Sequence, residues 1–383
     1  MKKTRLLNAV LLTAFLLTPG VSAARVKIAL ITPQSGPLAP QGDSAKLGAQ
    51  LALADLKGEL DKADLQVSLE VFDEQNATVA ASAAKDIAAD PLMLGVLGPT
   101  FSGAAMLVSE VLRPARVPMI TASATANEIT DRAYSNVNRL VARSDAQGAV
   151  IAQYLSDDTA RRRVLVVSDN TTFGNSLADE FRDGARGKSL TILGRINGPK
   201  ADFSDILDAV KSNRPDAVFF SGNPDVAINF LKALKAADIS LPVVGGSTFE
   251  DPGVLRTAIG LGQELTYTTT FGTINRFSAA TEFTTRYRAA FDKTPNIFSV
   301  FMYDATRTML AALLDARARA NRTPTRTQVA AAVRRVRLTD AVTGSISFNA
   351  RGDRAVAPLF VMRLAKGSTF PDTLEVHLVR PSR

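Results

Sequence analysis

Residues Gly95–Thr130 read GVLGPTFSGAAMLVSEVLRPARVPMITASATANEIT, which sets two short apolar runs one helix apart and ends each in small hydroxylated residues. The first run, Leu92 to Gly98, has the length and apolarity of a buried parallel strand. Gly98, Pro99 and Gly103 then bracket Thr100, Phe101 and Ser102. Ser102 is the expected N-cap of a helix whose apolar spacing covers Ala104 to Leu112 and is expected to stop before Pro114. The first N–H groups of such a helix have no partner within it, and they favour a carboxylate or another anion above the strand. Beyond Pro118 a second run, Met119 to Thr121, leads into Ala122, Ser123, Ala124 and Thr125, adding hydroxyls and amides beside the first loop. Either loop alone would signify only ordinary helix capping. On neighbouring strands, the pair reads as half of a ligand site.

Outward from this stretch, strands alternate with helices. Val26–Thr32, the loop Gly36–Gly42 and a helix to Lys57 form one βα unit; strand Val67–Phe72 and helix Ala77–Ala89 form the next. The rhythm pauses at Asn138–Asp145 and restarts. Helix Ala146–Leu155, strand Arg163–Val167, loop Ser168–Gly174 and helix Asn175–Arg182 come first, then strand Leu190–Ile196 and helix Phe203–Ser212. Strand Ala217–Phe220, helix Asp225–Ala236 and strand Pro242–Gly245 follow. Such alternation argues for parallel sheets covered on both faces, with ligands at the carboxyl ends of the strands. A chain of 383 residues exceeds the usual size of one core. The fold class expected is therefore α/β, with two doubly wound parallel-sheet domains joined by three hinge crossings. Strand Leu265–Phe271 is expected to return to the first domain, where Ala279–Phe291 and Phe298–Ala318 form long helices. A last crossing near Gly344–Asp353 would place the C-terminal strands, including Pro358–Leu364, on the second. The expected partition is 25–143 plus 273–345 for domain I and 144–272 plus 346–383 for domain II. Segments joined in this way can rotate and close on a ligand.

Composition narrows the function. Lys2, Lys3 and Arg5 precede the apolar run Leu6–Leu17, and Val21-Ser22-Ala23 follows Pro19, so residues 1–24 read as a cleavable signal peptide. The run is shorter than the roughly 20 residues that span a bilayer, and no later stretch reads as long enough. With no cysteine, neither a disulfide framework nor a lipid-modified N-terminal cysteine is possible. Export without an anchor points to the periplasm. Removing the three basic leader residues lowers a formal charge of +8 by three; the remaining arginines are scattered, and they do not form a nucleic-acid footprint. A single histidine and no cysteine exclude thiol nucleophiles and sites needing two histidines. That histidine, His377, lies in the alternating run Leu374–Val379 and reads as a surface strand position. No Gly-x-Ser-x-Gly elbow, phosphate loop or nicotinamide fingerprint is present, so an enzyme is disfavoured, and no cofactor or metal is expected. Asp73-Glu74 lacks partners at metal-ligand spacing.

The chain resembles the periplasmic substrate-binding proteins of the leucine/isoleucine/valine-binding type over nearly all of its length after the leader. The resemblance rests on GPLAPQG at Gly36, GAQLA at Gly48, GPTFSGAA at Gly98, ITASATANEITDRAY at Ile120 and NRLVARSDAQG at Asn138. SDNTTFGNSLADEF at Ser168, ADFSDIL at Ala201 and RPDAVFFSGNPDVAINFLKAL at Arg214 complete it. It implies a type I periplasmic binding fold and a monomeric receptor that hands a small solute to the permease of an ATP-driven importer.

The resemblance also implies site residues. Ser102 and Thr125 would hold a ligand carboxylate by hydroxyl and amide, with Thr100 and Phe101 in the same loop, and Ser123 would offer its carbonyl to an ammonium. Phe173 stands where the family often has tyrosine; it can pack on a ligand but not donate to it. Ser247 replaces the family's acid, leaving Glu250 or Asp251 to meet an ammonium. Gln41 and Asn223 stand where aromatics are common, which suits a more polar or larger ligand. An amide, a urea or an aromatic acid is thus the alternative to an amino acid, and a sensory module is a further one. Tyr303-Asp304 matches a pair read as structural.

Overall fold

The computed structural model describes residues 23–272, 274–277 and 279–381. The leader expected over residues 1–24 thus lies almost wholly outside the described residues. The first sheet contains β1 (Ala24–Thr32), β2 (Leu65–Asp73), β3 (Met93–Leu97), β4 (Met119–Thr121) and β5 (Val137–Arg139) in the order β2-β1-β3-β4-β5. All its pairings are parallel. β3 and β4 are buried at every residue, which is why their sequences are unbroken apolar runs rather than alternating ones.

The second sheet contains β6 (Arg163–Ser168), β7 (Thr191–Asn197), β8 (Ala217–Ser221), β9 (Val243–Gly245), β10 (Leu265–Thr269), β11 (Ala357–Leu364) and β12 (Asp372–Val379). Their order is β12-β11-β10-β9-β8-β6-β7. The β10–β11 and β11–β12 pairings are antiparallel, so this sheet is mixed rather than wholly parallel. The strand expected to return to the first domain does not do so: β10 pairs with β9 along Leu265–Tyr267 and with β11 along its whole length. Its five residues are all buried, and burial on both faces conceals from a periodicity reading which sheet receives the strand.

After β10 the chain crosses to helices Ala280–Phe291 and Ile297–Ala320, which pack against helix Ala39–Asp55 over the first sheet. Gly48 permits the closest approach, since a Cβ there would lie 2.1 Å from the Ser299 carbonyl oxygen. Contrary to the sequence expectation, helix Ile297–Ala320 is long and apolar enough to cross a membrane. Yet 78% of its apolar window is buried inside the fold, so its apolarity serves the core. Tyr303 and Asp304 on this helix are structural: the Tyr303 hydroxyl donates to Asp55 at 2.7 Å, and Asp304 accepts from the Val342 and Thr343 N–H groups at 3.0 and 2.8 Å.

The last crossing is fastened by charge. Arg139, at the end of β5, bridges to Asp353 in parallel, and its Nη2 lies 2.6 Å from Asp353 Oδ1 with both residues almost fully buried. Thr130 donates its hydroxyl to the same carboxylate at 2.7 Å, and Arg143 Nη1 approaches it at 3.5 Å. Burial alone would raise the Asp353 carboxyl. The Arg139 guanidinium and these hydrogen bonds outweigh it and hold the group below its ordinary range.

Candidate ligand-binding site

A cavity of about 70 Å³ lies between the carboxyl ends of the two sheets. The loop after β3 contributes Thr100, Phe101 and Ser102, and the loop after β4 contributes Ser123 and Ala124. From the second sheet come Phe173 beyond β6, Gly222, Asn223 and Pro224 beyond β8, and Ser247, Thr248, Glu250 and Asp251 beyond β9. Phe271 and the helix start Ile297-Phe298 close the remaining side. Eight of the ten expected site residues line this space, namely Thr100, Phe101, Ser102, Ser123, Phe173, Asn223, Ser247 and Glu250.

The helix above β3 spans Ser102–Ala115 and runs through Pro114 in its last turn, where the expected stop does not occur. Ser102 is its first residue and Phe101 its N-cap, so Ser102 is not the cap. The Ser102 hydroxyl oxygen instead accepts the Ala126 N–H at 3.3 Å, tying the two loops together, while its hydrogen stays free to donate. Glu74, beyond β2, is buried and accepts the N–H groups of Thr100 and Phe101 at 2.7 and 2.8 Å. It is a loop tie, and it leaves the Ser102 N–H, first of the helix, without an intrahelical partner at the cavity wall. Burial pushes the Glu74 carboxyl up to about 8; near neutral pH it adds little negative charge beside an incoming carboxylate.

Ser123, in the lining, donates its hydroxyl to the Thr100 carbonyl at 2.8 Å, so that hydrogen is spent on the loop. Thr125 is buried behind the lining, with its hydroxyl 3.2 Å from Ser144 Oγ. Among the described residues, no lysine or arginine lines the cavity. An anion there must be held by neutral donors, as at a helix terminus.

The acids separate into two roles. Asp251 is fully engaged: one oxygen caps the helix Pro252–Leu261 by accepting Gly253 N–H at 2.7 Å and Val254 N–H at 3.2 Å. The other accepts Gln41 Nε2 at 2.6 Å across 210 residues of chain. Glu250, in the short 3₁₀ turn Ser247–Glu250, lines the cavity and has no cationic partner among the described residues. Burial raises its carboxyl to about 7, against the opposing effect of a hydrogen bond with the Tyr267 hydroxyl. Of the two acids the sequence left open, only Glu250 has capacity to spare for a cation.

Gln41 does not line the cavity. Its amide ties helix Ala39–Asp55 to the loop after β9, while Asn127 donates its side-chain amide to Glu180 and its backbone N–H to Ser176 Oγ, the latter at 3.4 Å. These contacts hold the two sheets together around the cavity. Gln41→Ala is expected to speed ligand release about tenfold, the loss of one charge-assisted hydrogen bond of about 1.5 kcal/mol, as measured by stopped-flow displacement. Release at the unaltered rate would mean that the tie forms no part of closure.

Asn223 donates its N–H to Asp169 at 2.7 Å and leaves its side chain toward the cavity and the outer cleft. That cleft, of about 450 Å³, shares Phe101 and Phe173 with the inner cavity, so the two rings stand between ligand space and solvent. Phe271, Ile297 and Phe298 were not expected in the site. They sit at the crossing after β10, and their position became visible only once that strand was placed.

The chain belongs to the periplasmic binding protein family, whose sequence profile matches residues 25–369. A Leu/Ile/Val-binding protein, BraC3, of Rhizobium johnstonii is 34% identical over 219 residues, covering 56% of this chain and 59% of that one. A Leu/Ile/Val/Thr-binding protein of Salmonella typhimurium is 28% identical over 224 residues, covering 57% and 61%. The chain thus spans about three fifths of the length of the curated relatives it matches. Among solved structures, the branched-chain amino acid transporter substrate-binding protein LivJ from Streptococcus pneumoniae, in complex with isoleucine, aligns over 94% of this chain and 100% of its own. Its TM-score is 0.78 at 23% identity. A solute-binding protein of an ABC transporter from R. palustris, in complex with benzoate, aligns over 94% and 98% with TM-score 0.79 at 20% identity. These likenesses establish the type I periplasmic binding fold, and the named relatives are solute-binding proteins rather than enzymes.

Proposed function

We propose that this chain is the periplasmic receptor of an ABC importer for an apolar amino acid or a close derivative. The observation that carries this reading is the Glu250 carboxyl, which no cation meets among the described residues, in the lining of a cavity whose opposite wall is a helix start with neutral donors. A zwitterion satisfies both ends. Its carboxylate meets the Ser102 N–H and hydroxyl, its ammonium meets Glu250, and its side chain lies among Phe101, Phe173, Phe271, Ile297 and Phe298.

In this reading the leader directs export and is removed. The two halves, 25–143 with 273–345 and 144–272 with 346–383, close as rigid bodies about three crossings, and the permease recognises their paired faces. Ligand favours closure because only the closed arrangement touches it from both sides. A second reading, an aromatic acid, is favoured by the four phenylalanine rings in the lining; such a ligand would leave Glu250 protonated. A thermal-shift screen of amino acids, short amides, urea and aromatic acids tests both, since a ligand of the folded state raises Tm. Stabilisation by aliphatic amino acids supports the first reading. Stabilisation by benzoate-like acids alone replaces it with the second.

A further inference from the structure

The inner cavity is small for the ligand it receives. Its volume of about 70 Å³ is under half of the roughly 150 Å³ of apolar space that holds a benzene molecule, and leucine has more heavy atoms than benzene. The space is not closed off, however. Phe101, Ser102, Phe173 and Asn223 belong both to its lining and to that of the outer cleft, whose volume of about 450 Å³ is several times larger. A ligand with its carboxylate at Ser102 and its ammonium at Glu250 therefore sends the rest of its side chain between Phe101 and Phe173 into that cleft.

Past the two rings the walls turn polar, and among the described residues several of their side-chain groups carry no hydrogen bond. From the side of the first sheet come the Gln75 amide and the Asn76 amide nitrogen; only Asn76 Oδ1 is spent, on the Thr78 and Val79 N–H groups, both at 3.0 Å. From the side of the second come the Asn223 amide and the Asp225 carboxylate. Charge then narrows the occupant. Helices Ala77–Ala89, Thr172–Gly184 and Pro224–Ala236 all start at this cleft, with Asn76, Thr171 and Asn223 as their N-caps. Their partial positive ends disfavour a cation. Asp225 disfavours an anion, and no lysine or arginine among the described residues lines the cleft to offset it. An ionised carboxylate only accepts, and each carboxamide also offers an acceptor, so the end group that fits is uncharged and carries N–H donors.

We propose that the ligand is an amino acid whose side chain ends in an uncharged amide or ureido group, with its head in the inner cavity and its end group held in the outer cleft by Gln75, Asn223 and Asp225. This rests on the amino-acid reading of the inner site and names the side chain that site takes. It also gives a purpose to Asn223, which stands where aromatics are common: a ring there would face the passage with apolar surface, whereas the amide keeps it polar. Leucine binds by its head and forgoes the outer contacts.

Isothermal titration of the purified protein with leucine, citrulline, Nε-acetyllysine, lysine and glutamate tests this. Citrulline and Nε-acetyllysine are expected to bind about tenfold more tightly than leucine, and lysine and glutamate more weakly than either. Gln75 and Asp225 line the outer cleft but not the inner cavity. Gln75→Ala combined with Asp225→Ala is therefore expected to bring citrulline down to the leucine level while leucine binds as before, which also shows that the variant is folded. A second variant narrows the cleft itself. A Cβ at Gly103 would meet only Thr172 Oγ1, at 3.9 Å, so the helix accepts a side chain there, and Gly103→Leu is expected to cost citrulline more affinity than leucine. Leucine binding with no gain for citrulline or Nε-acetyllysine would overturn the extension alone, as would equal losses for leucine and citrulline in the double variant. Tightest binding of lysine or glutamate would overturn the uncharged end group. Binding of no amino acid at all would overturn the reading of the inner site and this inference with it.

Discussion

Replacing Glu250 with glutamine is expected to weaken leucine binding by roughly thirtyfold or more, corresponding to about 2 kcal/mol for removing one member of a buried charge pair. The substitution keeps the shape of the side chain and removes only the charge. It leaves the opposite wall, with its neutral donors at Ser102, intact. The deaminated analogue 4-methylpentanoate should therefore bind the variant as well as, or better than, it binds the unaltered protein. The pH dependence has a definite sign. With the carboxyl raised to about 7 in the ligand-free state, Glu250 is protonated below that pH and cannot pair with an ammonium. Leucine affinity is then expected to fall about tenfold per unit below pH 7, and this slope should vanish in Glu250→Gln. Isothermal titration at several pH values reads both effects. A variant that binds leucine with unaltered affinity would remove Glu250 from the site.

The second large effect concerns the fold. Asp353→Ala is expected to lower stability by about 3–5 kcal/mol, because it leaves the Arg139 guanidinium buried without its counter-charge. Arg139 is 0% exposed, and its Nε and Nη2 both bond Asp353 Oδ1, at 3.0 and 2.6 Å. A carboxyl held below its ordinary value stabilises the folded state above that value, and the contribution is lost as pH falls through the folded pKa. Urea titrations should consequently separate Asp353→Ala from the unaltered protein widely at pH 7 and less in strong acid. Equal midpoints at pH 7 would show that the crossing is held by its backbone bridges alone.

Much of this architecture could be read from the chain before its structure. The loops after β3 and β4 announce themselves, since fully buried parallel strands are continuous apolar runs and their ends carry small polar residues. What escaped the reading depends on partners distant in sequence. β10 is apolar on both faces, and nothing local tells whether it joins β9 or the first sheet. Pro114 was read as a stop, but it lies in a final turn of a helix that continues to Ala115. Gln41 looked like a pocket residue because of where it falls in a motif; its bond to Asp251 spans 210 residues. Glu74 looked idle until the fold placed the Thr100 and Phe101 amides against it. Of the acids near Ser247, the sequence could not choose between Glu250 and Asp251; in the fold Asp251 is taken up by Gly253, Val254 and Gln41.

The central claim is that an amino acid's ammonium pairs with Glu250, and proton release measures it directly. Titrating leucine into the protein at pH 7 in two buffers of different ionisation enthalpy counts the protons exchanged on binding. With the free carboxyl at about 7, binding is expected to release about half a proton, and none in Glu250→Gln. Leucine binding without proton release, or equally tight binding of 4-methylpentanoate, would contradict the account.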